Sequence, residues 1–165
     1  MRTLLATLAG LVALIMLAGA TYQVVATARA ERRYTPPGRL VDVGERRLHL
    51  NCIGYGSPAV ILESAAGMSS NAWALVQPAV AKVSRVCSYD RAGYGWSDNG
   101  PLARTPAEIA EELHALLANS GMFDPYVLVG DSFGAEVVSE YARKFRQEVA
   151  GLVLVAAGPE KVPDG

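Results

Sequence analysis

An α/β fold is predicted for residues 39–165 from three observations. Short runs rich in β-branched residues, among them Val60-Ile61-Leu62, Val127-Leu128-Val129 and Leu152-Val153-Leu154-Val155, read as strands buried on both faces. Two stretches with apolar residues at helical spacing separate the later runs. Gly, Pro and Asp punctuate the boundaries, and no internal repeat is present. The alternation implies a largely parallel sheet covered by helices.

In chain order, residues 39–43 and 46–53 flank Gly44-Glu45, a two-residue connection that suits an antiparallel hairpin. In the second of these strands Leu48, Leu50 and Cys52 share one face, His49 and Asn51 the other. Residues 59–63, 85–90, 126–130 and 151–156 are the four buried strands. A helix is expected over about 71–82, against which Pro78 counts. A better marked one begins at Thr105, with Pro106 at its first position and Glu108 completing a capping box. Ile109, Ala110, Leu113, Leu116 and Leu117 form its apolar stripe, and Gly121 stops it. The last helix covers 133–145, with Val137, Val138, Tyr141, Ala142 and Phe145 inward.

Ahead of this body, residues 3–28 carry no charge. At 1.5 Å per residue such a helix reaches roughly 39 Å, enough to cross a hydrocarbon core of about 30 Å. Residues 1–30 are therefore expected to be a membrane anchor. The competing reading is a cleaved signal, since Ala28-Arg29-Ala30 is an A-x-A pattern. Residues 31–38, with Pro36 and Pro37, form a stiff linker to a domain expected on the extracytoplasmic side, secreted if the leader is cleaved. Of the 15 basic and 16 acidic residues, Arg2 and Arg29 belong to the leader, so the body carries a charge near −3. Without a basic stripe, nucleic acid is a poor partner. Two cysteines cannot make a four-cysteine zinc site, and neither a metal nor a cofactor is implied.

The chemistry is concentrated at Gly130-Asp131-Ser132-Phe133-Gly134, a G-x-S-x-G pattern set between a strand and a helix. That is the setting a nucleophile elbow requires; the bland alternative is a turn whose serine caps the following helix. Tyr89-Asp90-Arg91-Ala92-Gly93-Tyr94-Gly95-Trp96-Ser97-Asp98 ends another strand, and Val60-Ile61-Leu62-Glu63-Ser64 precedes a small-residue loop. With Trp73 and the 151–155 run, these residues make the chain resemble the α/β-hydrolase superfamily of serine esterases and lipases over nearly all of residues 39–159. The resemblance implies Ser132 as nucleophile and the backbone N–H groups of Phe133 and Ala66 as oxyanion donors. A small ester-type substrate would be cleaved through an acyl-serine intermediate. Asp90, Arg91 and Asp98 look like residues that fix loops. A serine at 132, where a carboxylate would be needed, argues against epoxide-hydrolase or dehalogenase chemistry. The superfamily's strand order 1-2-4-3-5-6 makes the second and fourth strands neighbours, so Cys52 and Cys87 could bond.

Ester hydrolysis also needs a base and an acid to orient it. In the superfamily both follow the nucleophile, and both histidines here precede it. His49 is expected to be a surface or satisfied core histidine and His114 a solvated one. Asp131 cannot serve as the acid, and Glu160 and Asp164 have no histidine to orient. The fold is accordingly read as an α/β-hydrolase cut short after about its sixth strand, an N-terminal part of a complete enzyme. The alternatives are a membrane-anchored pseudo-hydrolase that binds a partner or ligand, and a split enzyme completed by a second chain.

Overall fold

The computed structural model describes residues 2–33, 35–101, 103–123 and 125–156. It divides into two units, residues 1–36 and 37–165. In the first, α1 (Arg2–Arg33) contains Thr7–Arg29, 23 residues of mean hydropathy 2.0. By length and composition this segment can cross a membrane. The helix continues to Arg33, so the expected linker begins inside it.

The second unit is a six-stranded mixed sheet. Its strands are β1 (Arg39–Asp42), β2 (Arg47–Ile53), β3 (Ala59–Glu63), β4 (Val86–Tyr89), β5 (Tyr126–Asp131) and β6 (Val149–Val155), in the order β1-β2-β4-β3-β5-β6. β2 runs antiparallel to both β1 and β4, while β3, β4, β5 and β6 are mutually parallel. All four parallel strands therefore deliver their C-terminal ends to one edge of the sheet, where ligands bind in open α/β folds.

The helices α3 (Pro106–Asn119) and α4 (Phe133–Lys144) cover one face. Leu113, Leu116, Leu117, Val137, Val138 and Tyr141 pack there on Leu48, Leu50, Ile61 and Leu128, all almost wholly buried. Burying each such side chain contributes about 1.5–3 kcal/mol. The Thr105/Glu108 capping box forms as the sequence requires. Leu62, Trp73 and Val86 form a smaller cluster on the opposite face.

The expected helix over 71–82 is absent. A 3₁₀ turn (Ser70–Trp73) and the four-residue α2 (Gln77–Val80) take its place, with Pro78 in the first turn of α2, the position a proline tolerates. The β1–β2 hairpin turns at Gly44-Glu45 as expected: Val43 N–H donates to Arg46 O at 2.9 Å across these two residues, and Gly44 supplies φ +110°. β6 is also not buried on both faces. Leu152 to Val155 are 40–47% exposed, since β6 pairs only with β5 among the described residues. Cys52 and Cys87 face each other across the β2–β4 register and are joined by a disulfide, with Cα atoms 4.0 Å apart. The Met122 thioether lies 3.4 Å from Cys87 Sγ.

Candidate active site

Ser132 occupies the turn between β5 and α4 with φ 53° and ψ −115°, a conformation that L-residues rarely adopt. Its N–H donates to Val155 O at 2.8 Å, which fastens the turn to β6, and its carbonyl accepts from Ala135 N–H at 2.8 Å. The neighbouring glycines are required by contact. A Cβ at Gly130 would overlap the Gly134 carbonyl, and one at Gly134 would stand 2.6 Å from the carbonyl oxygen of Glu63. The side chain of Ser132 is exposed, and its hydroxyl has no hydrogen-bond partner among the described residues.

Phe133 opens α4, where a helix leaves its first N–H groups unbonded. Ala66 lies in the exposed loop after β3. The fold brings these two to the wall of one cavity of about 280 Å³. That loop is held from beneath by Arg91, almost wholly buried, whose Nη2 donates to Ser64 O at 3.1 Å and also to Ala65 O. Arg91 Nε lies 3.4 Å from Oε1 of buried Glu63, and the Tyr89 hydroxyl donates to Glu63 Oε2. Burial pushes the Glu63 carboxyl up to about 7, against the opposing pull of Arg91 and Tyr89. The Tyr89 phenol is raised well above its ordinary value, first by burial and then by the adjacent Glu63.

Asp90, fully buried at the end of β4, accepts from Ser70 N–H at 2.6 Å and Trp96 N–H at 3.1 Å. It also pairs with His49 Nδ1 at 2.9 Å. His49 Nε2 meets the carbonyl of Pro37. The Pro37 carbonyl is an acceptor, so Nε2 carries a proton, and the Asp90 carboxylate beside Nδ1 favours a positive charge on this ring sealed in the body. Burial works against that charge, but the bonds to Asp90 and Pro37 outweigh it and raise the His49 pKa. Burial would likewise raise the Asp90 carboxyl, yet its bonds to His49, Ser70 and Trp96 hold it below its ordinary value. His49 is thus a wholly buried core histidine, held by Asp90 and Pro37, rather than a surface one.

His114 is not simply solvated. It stacks on Phe145 with centroids 3.9 Å apart and its Nδ1 lies 3.2 Å from Glu148 Oε2, because α3 and α4 pack side by side. Asp98 and Arg47 form an exposed two-pronged pair, Nε to Oδ2 at 3.0 Å and Nη2 to Oδ1 at 3.0 Å. Asp90, Arg91 and Asp98 therefore fix loops with separate partners. Glu160 and Asp164 lie outside the described residues. Glu63 was not singled out in the sequence, although a glutamate closing an apolar strand signals a buried partner. Among the described residues no three His, Cys, Asp or Glu side chains are grouped to hold a metal.

These shifts predict an acid-shifted stability profile. Glu63 and His49 have raised pKa values, so the Glu63 contribution is complete below about 4.5 and lost as pH rises through about 7, and the His49 contribution is complete below about 6.5 and lost as pH rises through its raised value. The lowered Asp90 value removes stability only as pH falls below its ordinary 3.8. Thermal midpoints should accordingly be higher at pH 5–6 than at pH 8. A midpoint that climbs steadily to pH 8 would contradict this assignment.

A family pattern described as alpha/beta hydrolase fold matches residues 58–164. An AB hydrolase superfamily protein of Gibberella zeae is 32% identical over 108 residues, which is 63% of this chain and 34% of that protein. The pimeloyl-[acyl-carrier protein] methyl ester esterase of Sodalis glossinidius is 32% identical over 112 residues, 68% of this chain and 41% of that enzyme. Among solved structures, a thermophilic esterase from Thermogutta terrifontis superposes with a TM-score of 0.68 at 27% identity, over 74% of this chain and 46% of that one. The chain thus spans between a third and a half of the length of these three relatives. With the sheet order, the strained serine turn and a family match over most of the body, this chain belongs to the α/β-hydrolase fold family.

Proposed function

We propose that Ser132 is the nucleophile of a serine hydrolase acting on carboxylic esters or related acyl bonds, with the N–H groups of Phe133 and Ala66 receiving the oxyanion. The observation that carries this reading is the positive φ of a non-glycine residue at the strand-to-helix turn, strain that aims a hydroxyl outward from the sheet edge. The similarity to esterases supports the reaction class. Because His49 and His114 are engaged elsewhere, the base comes from polypeptide outside these 165 residues. We place the body on the extracytoplasmic side of the membrane that α1 would cross, a placement supported by the Cys52–Cys87 disulfide, which needs an oxidising compartment.

The unpartnered Ser132 hydroxyl favours a second reading, a membrane-anchored pseudo-hydrolase that binds a partner or ligand. The chain by itself is expected to hydrolyse p-nitrophenyl acetate no faster than its Ser132→Ala variant. Added imidazole, a diffusible base, should then produce an acetyl adduct on the peptide carrying Ser132, found by mass spectrometry and missing in the variant. Failure to acylate Ser132 under imidazole would favour the pseudo-hydrolase.

A further inference from the structure

The cavity beside the oxyanion loop is lined by two arginines, Arg91 and Arg104, with Tyr94, Phe133, Ile109 and Ala66 among its other walls. Among the described residues no carboxylate lines it. Both guanidiniums are anchored with donors to spare. Arg91 engages Glu63 through Nε and the loop carbonyls through Nη2, which leaves Nη1. Arg104 gives Nη1 to Glu112 at 2.5 Å and Nη2 to Ala92 O at 2.6 Å, which leaves Nε. The acids behind the wall compensate these charges incompletely. Glu112 is shared between Arg104 and Arg46, at 2.5 and 2.7 Å, and the other carboxylate near Arg46 is the exposed Glu45. Glu63, the one acid paired with Arg91 among the described residues, is itself partly protonated near neutral pH. The rings of Tyr94 and Phe133 flank the Arg91 guanidinium at 5.4 and 5.3 Å, forming apolar sides to a cationic floor.

From this arrangement we infer that the cavity is a binding site for the carboxylate of a small organic acid, held by Arg91 and Arg104 with its apolar body between Tyr94 and Phe133. At about 280 Å³ the space suits a short-chain or single-ring acid and is smaller than the usual range for drug-sized ligands. A planar carboxylate matches the donor forks of two fixed guanidiniums. The site does not depend on Ser132 being a nucleophile, and its test does not read turnover.

The experiment uses the full chain in detergent micelles with ¹⁵N-labelled arginine, titrated with benzoate and butyrate and with their neutral counterparts benzamide and butyramide. Both acids are expected to shift the Arg91 and Arg104 Nε–Hε signals saturably. They should bind about tenfold more tightly than the amides, the scale of one charge-assisted hydrogen bond. Arg104→Gln should weaken benzoate by about tenfold, and Arg104→Lys much less. Equal affinity for benzoate and benzamide on the unaltered protein would overturn the inference even if the variants fail to fold. Saturable binding that leaves both arginine signals unmoved, or a folded Arg104→Gln protein with unchanged affinity, would do the same.

Discussion

Asp90→Ala is expected to destabilise the body by roughly 3–5 kcal/mol, the range for removing one member of a buried charged pair. The carboxylate joins three parts of the chain: the Ser70 N–H beyond the loop that follows β3, the Trp96 N–H in the loop after β4, and the His49 ring in β2. Its removal takes away the carboxylate that favours a positive charge on the fully buried His49 ring and leaves the Pro37 carbonyl as that ring's remaining polar partner among the described residues. Gly95 tightens the dependence, because its φ of +50° and its contact with the Asp90 carboxylate leave no room for a side chain that could rearrange. Urea unfolding is the measurement. A companion Asp90→Ala, His49→Leu protein should recover part of the loss, since the ring left without its carboxylate is gone. A loss below about 1 kcal/mol for the single variant would show that the loop after β4 folds without this tie.

Replacing both Cys52 and Cys87 with serine is expected to cost about 3–4 kcal/mol, the scale set by closing a loop of 35 residues in the unfolded chain. Cys87 is fully buried under Met122 whereas Cys52 is exposed, so a small thiol reductant can reach the bond from the Cys52 side. Unfolding of the parent protein in dithiothreitol should therefore approach that of the double variant. Identical midpoints with and without reductant would remove the disulfide from the list of stabilising features and with it the support for an oxidising compartment.

The parts legible in the sequence were those written in local chemistry. The capping box at Thr105 and Glu108, the valine-rich β3 and β5, and the glycines around Ser132 each state their structure within a few residues. What stayed hidden depends on register. Glu63 meets Tyr89 only because β3 lies beside β4, and Arg91 reaches the β3 loop only from the end of that same neighbour. Strand alternation correctly set His49 opposite Leu48 and Leu50, but it could not show that the loop carrying Trp96 closes over that face. The misread segment after Trp73 had apolar spacing that fits a helix. Pro78 removes one donor inside it, and the chain settles into short turns instead. The exposed Leu152 to Val155 show the limit of composition, since an apolar run reports an affinity for cover without naming what provides it.

The positive φ at Ser132 places two kinds of selection in opposition at one codon. Glycine there would relax the turn, because a residue without Cβ accepts that backbone freely, and the same change would delete the hydroxyl. A lineage drifting without need of the chemistry would gain stability by losing it. The turn therefore sets backbone ease against chemistry: glycine would suit its φ better, and serine places a hydroxyl there instead.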